Sequence, residues 1–185
     1  MADSIAFPAR AEARAISLST IPWYLWVSVI GVTSAMIGVH WDISWHRSIG
    51  RDTFWTPPHI AIYLCGVIAG ICSAYLILAT TFGRLPAVRA SSVRMWGFHG
   101  PLGAFVTAWG GVAMLVSAPF DDWWHNAYGL DVKILSPPHT VLAAGVLAIE
   151  IGALMLVLGY MNRARGDERV RLSWLASEVI SLAAA

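Results

Sequence analysis

Three side chains that could bind a metal ion stand close together in the segment 42–59. Asp42 and His46 are four residues apart, so a helix would place both on one face. His59 follows Thr56 and Pro57, a pair typical of a helix N-terminus, which puts this imidazole in the first turn of the next helix. Two helix ends joined by a short loop would bring one carboxylate and two imidazoles together. Such a ligand set suits copper, zinc or iron.

The same pattern recurs once, in the segment 121–139. The acidic residue, the tryptophan, the histidine, the glycine and the second acidic residue return 79 positions later, and the Pro-Pro-His triplet returns 80 positions later. The repeated candidate ligands are Asp121, His125 and His139. Asp122 could substitute for Asp121, although only Asp121 keeps the four-residue spacing to His125. Because the whole pattern recurs in the same order, we expect two metal sites of the same kind.

Two further carboxylates, Asp52 and Asp131, belong to the repeat but lie six residues after the first histidine of each segment. That offset takes them off the ligand face of the helix. We expect them to orient an imidazole by accepting a hydrogen bond from it, or to pair with Arg47 and Arg51. With two imidazoles and one carboxylate, each site would keep open coordination positions, which suits oxygen activation and metal transfer equally.

Five other residues with ionisable or reactive side chains lie outside the repeat. His40 and His99 are expected to be packed or interfacial histidines, and Cys65 and Cys72 small buried residues. Glu150 stands inside an apolar run, where a carboxylate is a candidate for proton or substrate handling, or is protonated and hydrogen-bonded.

Composition places the chain in a membrane. Of its 185 residues, 57% are hydrophobic and 12% are charged, whereas soluble domains carry about 25% charged residues. The formal net charge is +1, so there is no electrostatic case for binding nucleic acid.

Four apolar runs, 21–39, 60–82, 95–120 and 140–161, are long enough to span a bilayer. The sequence thus predicts an all-α, polytopic membrane protein of two tandem helical hairpins, about four transmembrane helices, with a C-terminal helix on the membrane surface or against a partner. Its divisions are a cytoplasmic tail (1–20), the first helix–metal loop–helix repeat (21–82), a basic connector (83–94), the second repeat (95–161), and a basic connector with the C-terminal helix (162–185).

Basic residues predict the orientation. Of the twelve Lys and Arg residues, only Arg47, Arg51 and Lys133 fall in the two metal loops. The positive-inside rule therefore predicts a multi-pass protein of the cell (inner) membrane, with both termini in the cytoplasm and both metal loops on the outer side.

At these residues the chain resembles the C subunit of the copper membrane monooxygenases, the family of particulate methane, ammonia and short-chain hydrocarbon monooxygenases. The family pattern is Asp-x-x-x-His, an Arg-Asp-Thr core and Thr-Pro-small-His. The matching residues here are Asp42, His46, Arg51-Asp52-Thr53 and Thr56-Pro57-Pro58-His59. The second site of the family has Asn-x-x-x-His and a further histidine fourteen residues later. His125 and His139 keep that spacing, with Asp121 in place of the asparagine and without the family's acidic-aromatic segment between the histidines.

The resemblance implies that Asp42, His46 and His59 bind copper. It also implies a subunit that works beside two others in O₂-dependent hydroxylation of methane, a short alkane or ammonia. The residues themselves leave zinc and iron open, and they leave open whether the chain is catalytic. One alternative is a non-catalytic membrane protein for sensing, delivery or uptake of copper or zinc. A less favoured alternative is a b-type cytochrome that uses pairs of the six histidines.

Overall fold

A computed structural model describes residues 21–50, 53–129, 136–164 and 167–184, with the side chains of 167 and 168 left out. The predicted ligands fall inside these ranges, whereas Asp52 and Asp131 fall outside them. In chain order the elements are α1 (Trp23–Ser48), α2 (Pro57–Thr81), α3 (Pro86–Arg89), β1 (Val93–Met95), β2 (Phe98–Gly100), α4 (Leu102–Tyr128), α5 (Pro137–Met161) and α6 (Asp167–Ala183).

Within the described ranges, four helices are long and apolar enough to cross a membrane: α1, α2, α4 and α5. Helix α1 packs on α2, α4 packs on α5, and the two hairpins meet between α2 and α4. The predicted all-α, multi-pass architecture with a C-terminal helix is confirmed. Because both hairpins run helix–loop–helix, the α1–α2 and α4–α5 connections lie at the same end of the bundle.

Close contact between α4 and α5 depends on glycine. A Cβ atom built on Gly110 would lie 2.7 Å from the carbonyl oxygen of Gly145 and 2.8 Å from the amide nitrogen of Ile149. A side chain of any size would therefore push the two backbones apart. Small residues at such crossings are the usual device for helix association in lipid, where the hydrophobic effect does not drive helices together.

The third span begins later than the sequence predicts. Residues 93–100 form a two-stranded antiparallel hairpin, and α4 starts only at Leu102, after Pro101. Trp96 and Gly97 both have positive φ at the tip of this hairpin. The amide of His99 donates to the Thr81 hydroxyl, which in turn donates to the His99 carbonyl, so β2 is tied to the end of α2.

The C-terminal helix lies against its own chain. Its residues Leu172, Leu175 and Ala176 are buried with the ends of α1 and α5, and Val179 is buried further along the same two helices. Its outer face exposes Val170 and Trp174. The sequence did not predict this contact with the chain's own bundle, and the predicted positions at the membrane surface or against a partner stay predictions.

Candidate metal centres

The first candidate centre, formed by Asp42, His46 and His59, joins the end of α1 to the start of α2. Asp42 uses both carboxylate oxygens: Oδ2 lies 3.7 Å from Nε2 of His46, and Oδ1 lies 3.2 Å from Nε2 of His59. The i,i+4 spacing on α1 and the first-turn position on α2 thus bring the three groups together as the sequence predicts.

Local signals at the helix ends set this geometry. Helix α1 stops where Gly50 adopts a φ of 88°, a conformation that costs glycine little. Thr56 is the N-cap residue of α2 with Pro57 at the first helical position, as expected, but its hydroxyl donates to the Thr53 carbonyl and caps no backbone amide. Nδ1 of His59 lies 3.1 Å from the same Thr53 carbonyl oxygen, which fixes the ring.

The second candidate centre, formed by Asp121, His125 and His139, repeats this arrangement between α4 and α5. Here a single oxygen, Oδ1 of Asp121, lies 3.7 Å from Nε2 of His125 and 3.6 Å from Nε2 of His139. The rings of His125 and His139 are 6.4 Å apart between centroids. Gly129, with a φ of 93°, ends α4 as Gly50 ends α1. Asp121, and not its neighbour Asp122, is the carboxylate that meets the histidines.

Nδ1 of His139 faces a serine hydroxyl, whereas Nδ1 of His59 in the first centre faces a backbone carbonyl. Ser136 is the N-cap residue of α5, and its hydroxyl accepts from the amide of His139. The same hydroxyl lies 2.9 Å from Nδ1 of His139. Ser136 is therefore a functional candidate that the sequence argument missed. The signal was available, because Ser136 stands three residues before His139 as Thr56 stands before His59.

Within the described ranges, no group of three or more His, Cys, Asp or Glu side chains is placed so that it could hold a metal ion as it stands. The separations between carboxylate oxygen and imidazole nitrogen are nevertheless close to those of a metal site. Ligand atoms of a tetrahedral ion bound at about 2.0–2.2 Å lie about 3.3–3.6 Å apart. The four carboxylate–imidazole distances here run from 3.2 to 3.7 Å. Each carboxylate–imidazole pair is thus near a metal-site separation, but a common ion position for all three groups requires the side chains to rearrange.

The carboxylates also carry unsatisfied oxygens. Oδ1 of Asp42 and Oδ1 of Asp121 are buried and accept no hydrogen bond within the part of the chain that the structure describes. A buried carboxylate oxygen without a donor is costly unless a cation or a proton meets it. This observation, the same in both repeats, fits a bound cation at each carboxylate.

The ring of His59 supports the same interpretation. A carbonyl oxygen can only accept, so Nδ1 of His59 carries the proton that it donates to Thr53. In the neutral ring, Nε2 then presents a lone pair towards Oδ1 of Asp42. Two facing acceptors repel each other unless a cation or a proton lies between them. A metal-binding histidine typically donates its second ring N–H to a carbonyl or carboxylate in this way.

The remaining candidates do not join these centres. His40 lies on the exposed side of α1, with Nδ1 2.8 Å from the Met36 carbonyl, and His99 lies in β2. Cys65 and Cys72 are buried free cysteines on α2, as expected. Glu150 is buried in α5, away from both loops. The expected orienting roles of Asp52 and Asp131 concern residues outside the described ranges and stay predictions.

Comparison of the chain with models of protein families, with curated proteins and with solved structures finds no match in any of the three. The resemblance to the copper membrane monooxygenases therefore rests on the motif residues alone.

Proposed function

We propose that this chain is a membrane-embedded metal-binding subunit that holds one ion at each centre through one carboxylate and two imidazoles. One observation carries the proposal: the same three groups meet twice, at equivalent ends of two helical hairpins, each time with a buried carboxylate oxygen that faces an imidazole but accepts no hydrogen bond within the described residues. A chance meeting of three ionisable groups would have no reason to recur in both repeats.

Copper is the proposed ion. Both sets offer imidazole nitrogen and carboxylate oxygen without thiolate, a donor set that copper accepts and that zinc and iron also accept. The choice of copper follows from the resemblance to the monooxygenase C subunit. Copper, when bound, supplies the redox chemistry with O₂ needed to hydroxylate methane, a short alkane or ammonia. The residues of this chain hold the ion, fix the rings and leave coordination positions open.

The proposed setting is a hetero-oligomer in the cell membrane, with the metal loops on the outer side. In each of the four spanning helices fewer than half of the residues in the most apolar window are buried within the chain. The described part of the chain contains no folded domain outside the bundle that could accept electrons. The outer face of α6, with Val170 and Trp174 exposed, is the proposed contact with a partner. Arg163, which stacks on the Tyr160 ring and donates to the Ser91 hydroxyl, joins this end of α5 to the basic connector.

A second candidate function is metal delivery or uptake without catalysis. It is favoured by the exposure of the His46 side chain, which a molecule that delivers or receives the metal ion could reach. Turnover by the assembled complex distinguishes the two functions, because a delivery protein would bind the same ions and hydroxylate nothing.

Metal analysis of the detergent-purified protein tests the proposal. The copper-loaded wild type should hold about two equivalents, and changing both His46 and His59 to Ala should remove one of them. The matched pair His125→Ala and His139→Ala should remove the other, and His40→Ala, on the exposed side of α1, should remove none. Unchanged metal content in either double variant would refute the assignment of that centre.

Orientation is tested by labelling in intact cells. Single cysteines at Ser48 and Asn126, in a background that lacks Cys65 and Cys72, should react with a membrane-impermeant thiol reagent. A cysteine at Ser91, in the connector between the hairpins, should be protected until the cells are opened. The reverse labelling pattern would invert the proposed topology.

The subunit role is tested by purification. A tagged chain should copurify with partner membrane proteins, and the chain alone, loaded with copper, should show no turnover. Because α6 is packed into its own bundle, the sharper variant is a substitution on its outer face, Trp174→Ala, rather than a truncation. It should weaken copurification at unchanged metal content. Hydroxylation by the isolated chain would contradict the subunit role.

A further inference from the structure

Six buried side-chain nitrogen or oxygen atoms in the described part of the chain make no hydrogen bond, and four of them form the same pair twice. In the first repeat the pair is Oδ1 of Asp42 and Nε1 of Trp45, and in the second it is Oδ1 of Asp121 and Nε1 of Trp124. Buried polar atoms without partners are rare in folded proteins and often mark an absent water or ion. In both repeats the same acceptor and the same donor make no hydrogen bond within the described residues. Each centre can therefore take two kinds of partner, one for the carboxylate oxygen and one for the indole N–H.

The carboxylate oxygen and the indole Nε1–H need partners of opposite character. A carboxylate oxygen is satisfied by a cation, as the proposed metal ion would do. The indole Nε1–H is only a donor, so a cation cannot satisfy it. It needs a lone pair, such as that of an anion or a water oxygen. An ion held by the three protein ligands alone would therefore leave the tryptophan in each centre without a partner.

The backbone places both tryptophans beside the centres. Trp45 lies three residues after Asp42 and immediately before His46, and Trp124 has the same relation to Asp121 and His125. On a helix, residues three and four apart share a face. Both indole rings are partly exposed while their Nε1 atoms are buried, so the polar edge of each ring is turned into the protein. Trp124 is held by Phe120 and Tyr128, whose ring centroids lie 6.1 and 4.4 Å away.

We propose that Trp45 and Trp124 each donate a hydrogen bond to a small anionic or water-sized ligand that shares the centre with the metal ion. Each centre would then be a paired cation and anion site, in which the carboxylate and imidazoles hold the cation and the indole N–H selects and positions the anion. This inference rests on the proposed metal sites and adds to them a position for an exogenous ligand.

Azide is a suitable probe, because it is a small anion whose binding to Cu(II) gives a charge-transfer absorption that can be titrated. Each tryptophan is measured in a variant that keeps only its own centre, called a single-centre background. His125→Ala with His139→Ala leaves the first centre, and His46→Ala with His59→Ala leaves the second. Copper content is measured first in every sample by mass spectrometry. The azide dissociation constant is then compared between each background and its tryptophan variants.

Trp45→Phe and Trp124→Phe keep an aromatic ring and remove the donor, so copper content should stay unchanged and azide affinity should fall roughly tenfold or more, the loss expected for a hydrogen bond to a charged acceptor. Gln at either position restores an N–H donor without the ring and should recover part of that affinity. Trp41→Phe and Trp123→Phe, which change exposed tryptophans of the same helices, should leave azide binding unchanged.

The outcomes distinguish a failure of the proposed metal sites from a failure of the tryptophan role. Absence of copper from the single-centre backgrounds would overturn the proposed metal sites and this inference with them. Full copper content with equal azide affinity in the Phe variants would overturn only the role of the tryptophans. If Phe and Gln variants lose copper or azide binding equally, the indole serves packing rather than hydrogen bonding, and the inference is also wrong.

Discussion

The two centres have the same ligands at the same spacing, yet they hold their second imidazole differently. Nδ1 of His59 faces a backbone carbonyl, which can only accept, so the ring has one tautomer. Nδ1 of His139 faces the Ser136 hydroxyl, which can donate or accept, so either tautomer satisfies it. The backbone thus prepares the first ring for a cation, whereas the second depends on one side chain.

The carboxylates and the exposure of the rings differ as well. Asp42 gives one oxygen to each imidazole, whereas Asp121 turns Oδ1 to both. In the first centre His46 is 51% exposed and His59 is 19% exposed; in the second His125 is 24% exposed and His139 is 38% exposed. The more accessible histidine is therefore on the helix before the loop in one repeat and after it in the other. A repeated motif has given two sites that should differ in affinity and in access.

The largest expected contrast is between Asp42→Asn and Asp121→Asn. An asparagine keeps one oxygen and replaces the other with an NH₂ group, which repels a cation. Because Asp42 uses both oxygens, Asp42→Asn should lose the metal of the first centre. Asp121→Asn can keep its single facing oxygen, so the second centre should retain metal with roughly tenfold weaker affinity. Competition with a chelator, read by metal analysis, measures both.

Asp122→Asn serves as the control for this contrast. Asp122 lies next to Asp121, but its carboxylate contacts the exposed Asn126 side chain rather than an imidazole. Equal losses in Asp42→Asn and Asp121→Asn would show that the different use of carboxylate oxygens has no consequence for binding.

Much of each centre could be predicted from the sequence, because helical periodicity alone places Asp42 beside His46 and the Pro-Pro-His triplet alone starts the next helix near them. The partners of Nδ1 could not be predicted. Thr56 and Ser136 occupy equivalent positions and both are good N-cap residues, yet one hydroxyl turns to the Thr53 carbonyl and the other to an imidazole. Helical periodicity does not specify the partner of an N-cap hydroxyl, and the two segments before these residues differ in length by one inserted residue.

The next contrast compares these two hydroxyls. Ser136→Ala removes the partner of His139 Nδ1 and should weaken metal binding at the second centre by roughly 10–100-fold, the usual cost of losing a hydrogen bond that orients a ligand. Thr56→Ala changes the equivalent residue, whose hydroxyl donates to the Thr53 carbonyl, and should leave the first centre within about threefold of its original affinity. Titration of the single-centre backgrounds separates the two effects.

A Ser136→Ala variant with unchanged affinity would indicate that the His139 ring is oriented by the metal alone. A large loss in Thr56→Ala would indicate that the hydrogen bond from Thr56 to the Thr53 carbonyl, which also faces Nδ1 of His59, controls the first centre. Either result would show that the different partners of Nδ1 in His59 and His139 do not set the affinities of the two centres.

Two parts of the fold, the hairpin at 93–100 and the packing of α6, could not be predicted from the sequence. The run that begins at Met95 is apolar enough to enter a predicted span, but residues 93–100 form a hairpin because Gly97 permits the turn and Pro101 starts a new helix. The packing of α6 was missed for a different reason. A helix of 17 residues is too short to be recognised as a span, and its buried face is defined only by contacts with α1 and α5.

The smallest expected contrast concerns the two hairpins rather than their ligands. At Gly110, a new Cβ would meet backbone atoms of α5 at 2.7–2.8 Å, whereas at Gly31 on α1 its nearest neighbours would be the Ile68 side chain at 3.5 Å and the Cys65 carbonyl oxygen at 3.8 Å, both ordinary contacts. Gly110→Ala should therefore force α4 and α5 apart and destabilise the protein by about 1–3 kcal/mol. Gly31→Ala has room and should be neutral or slightly stabilising, because alanine favours helix over glycine. Thermal unfolding in detergent measures both as shifts in Tm. If Gly110→Ala unfolds at or above the wild-type temperature, direct backbone contact between α4 and α5 is not what holds the second hairpin together.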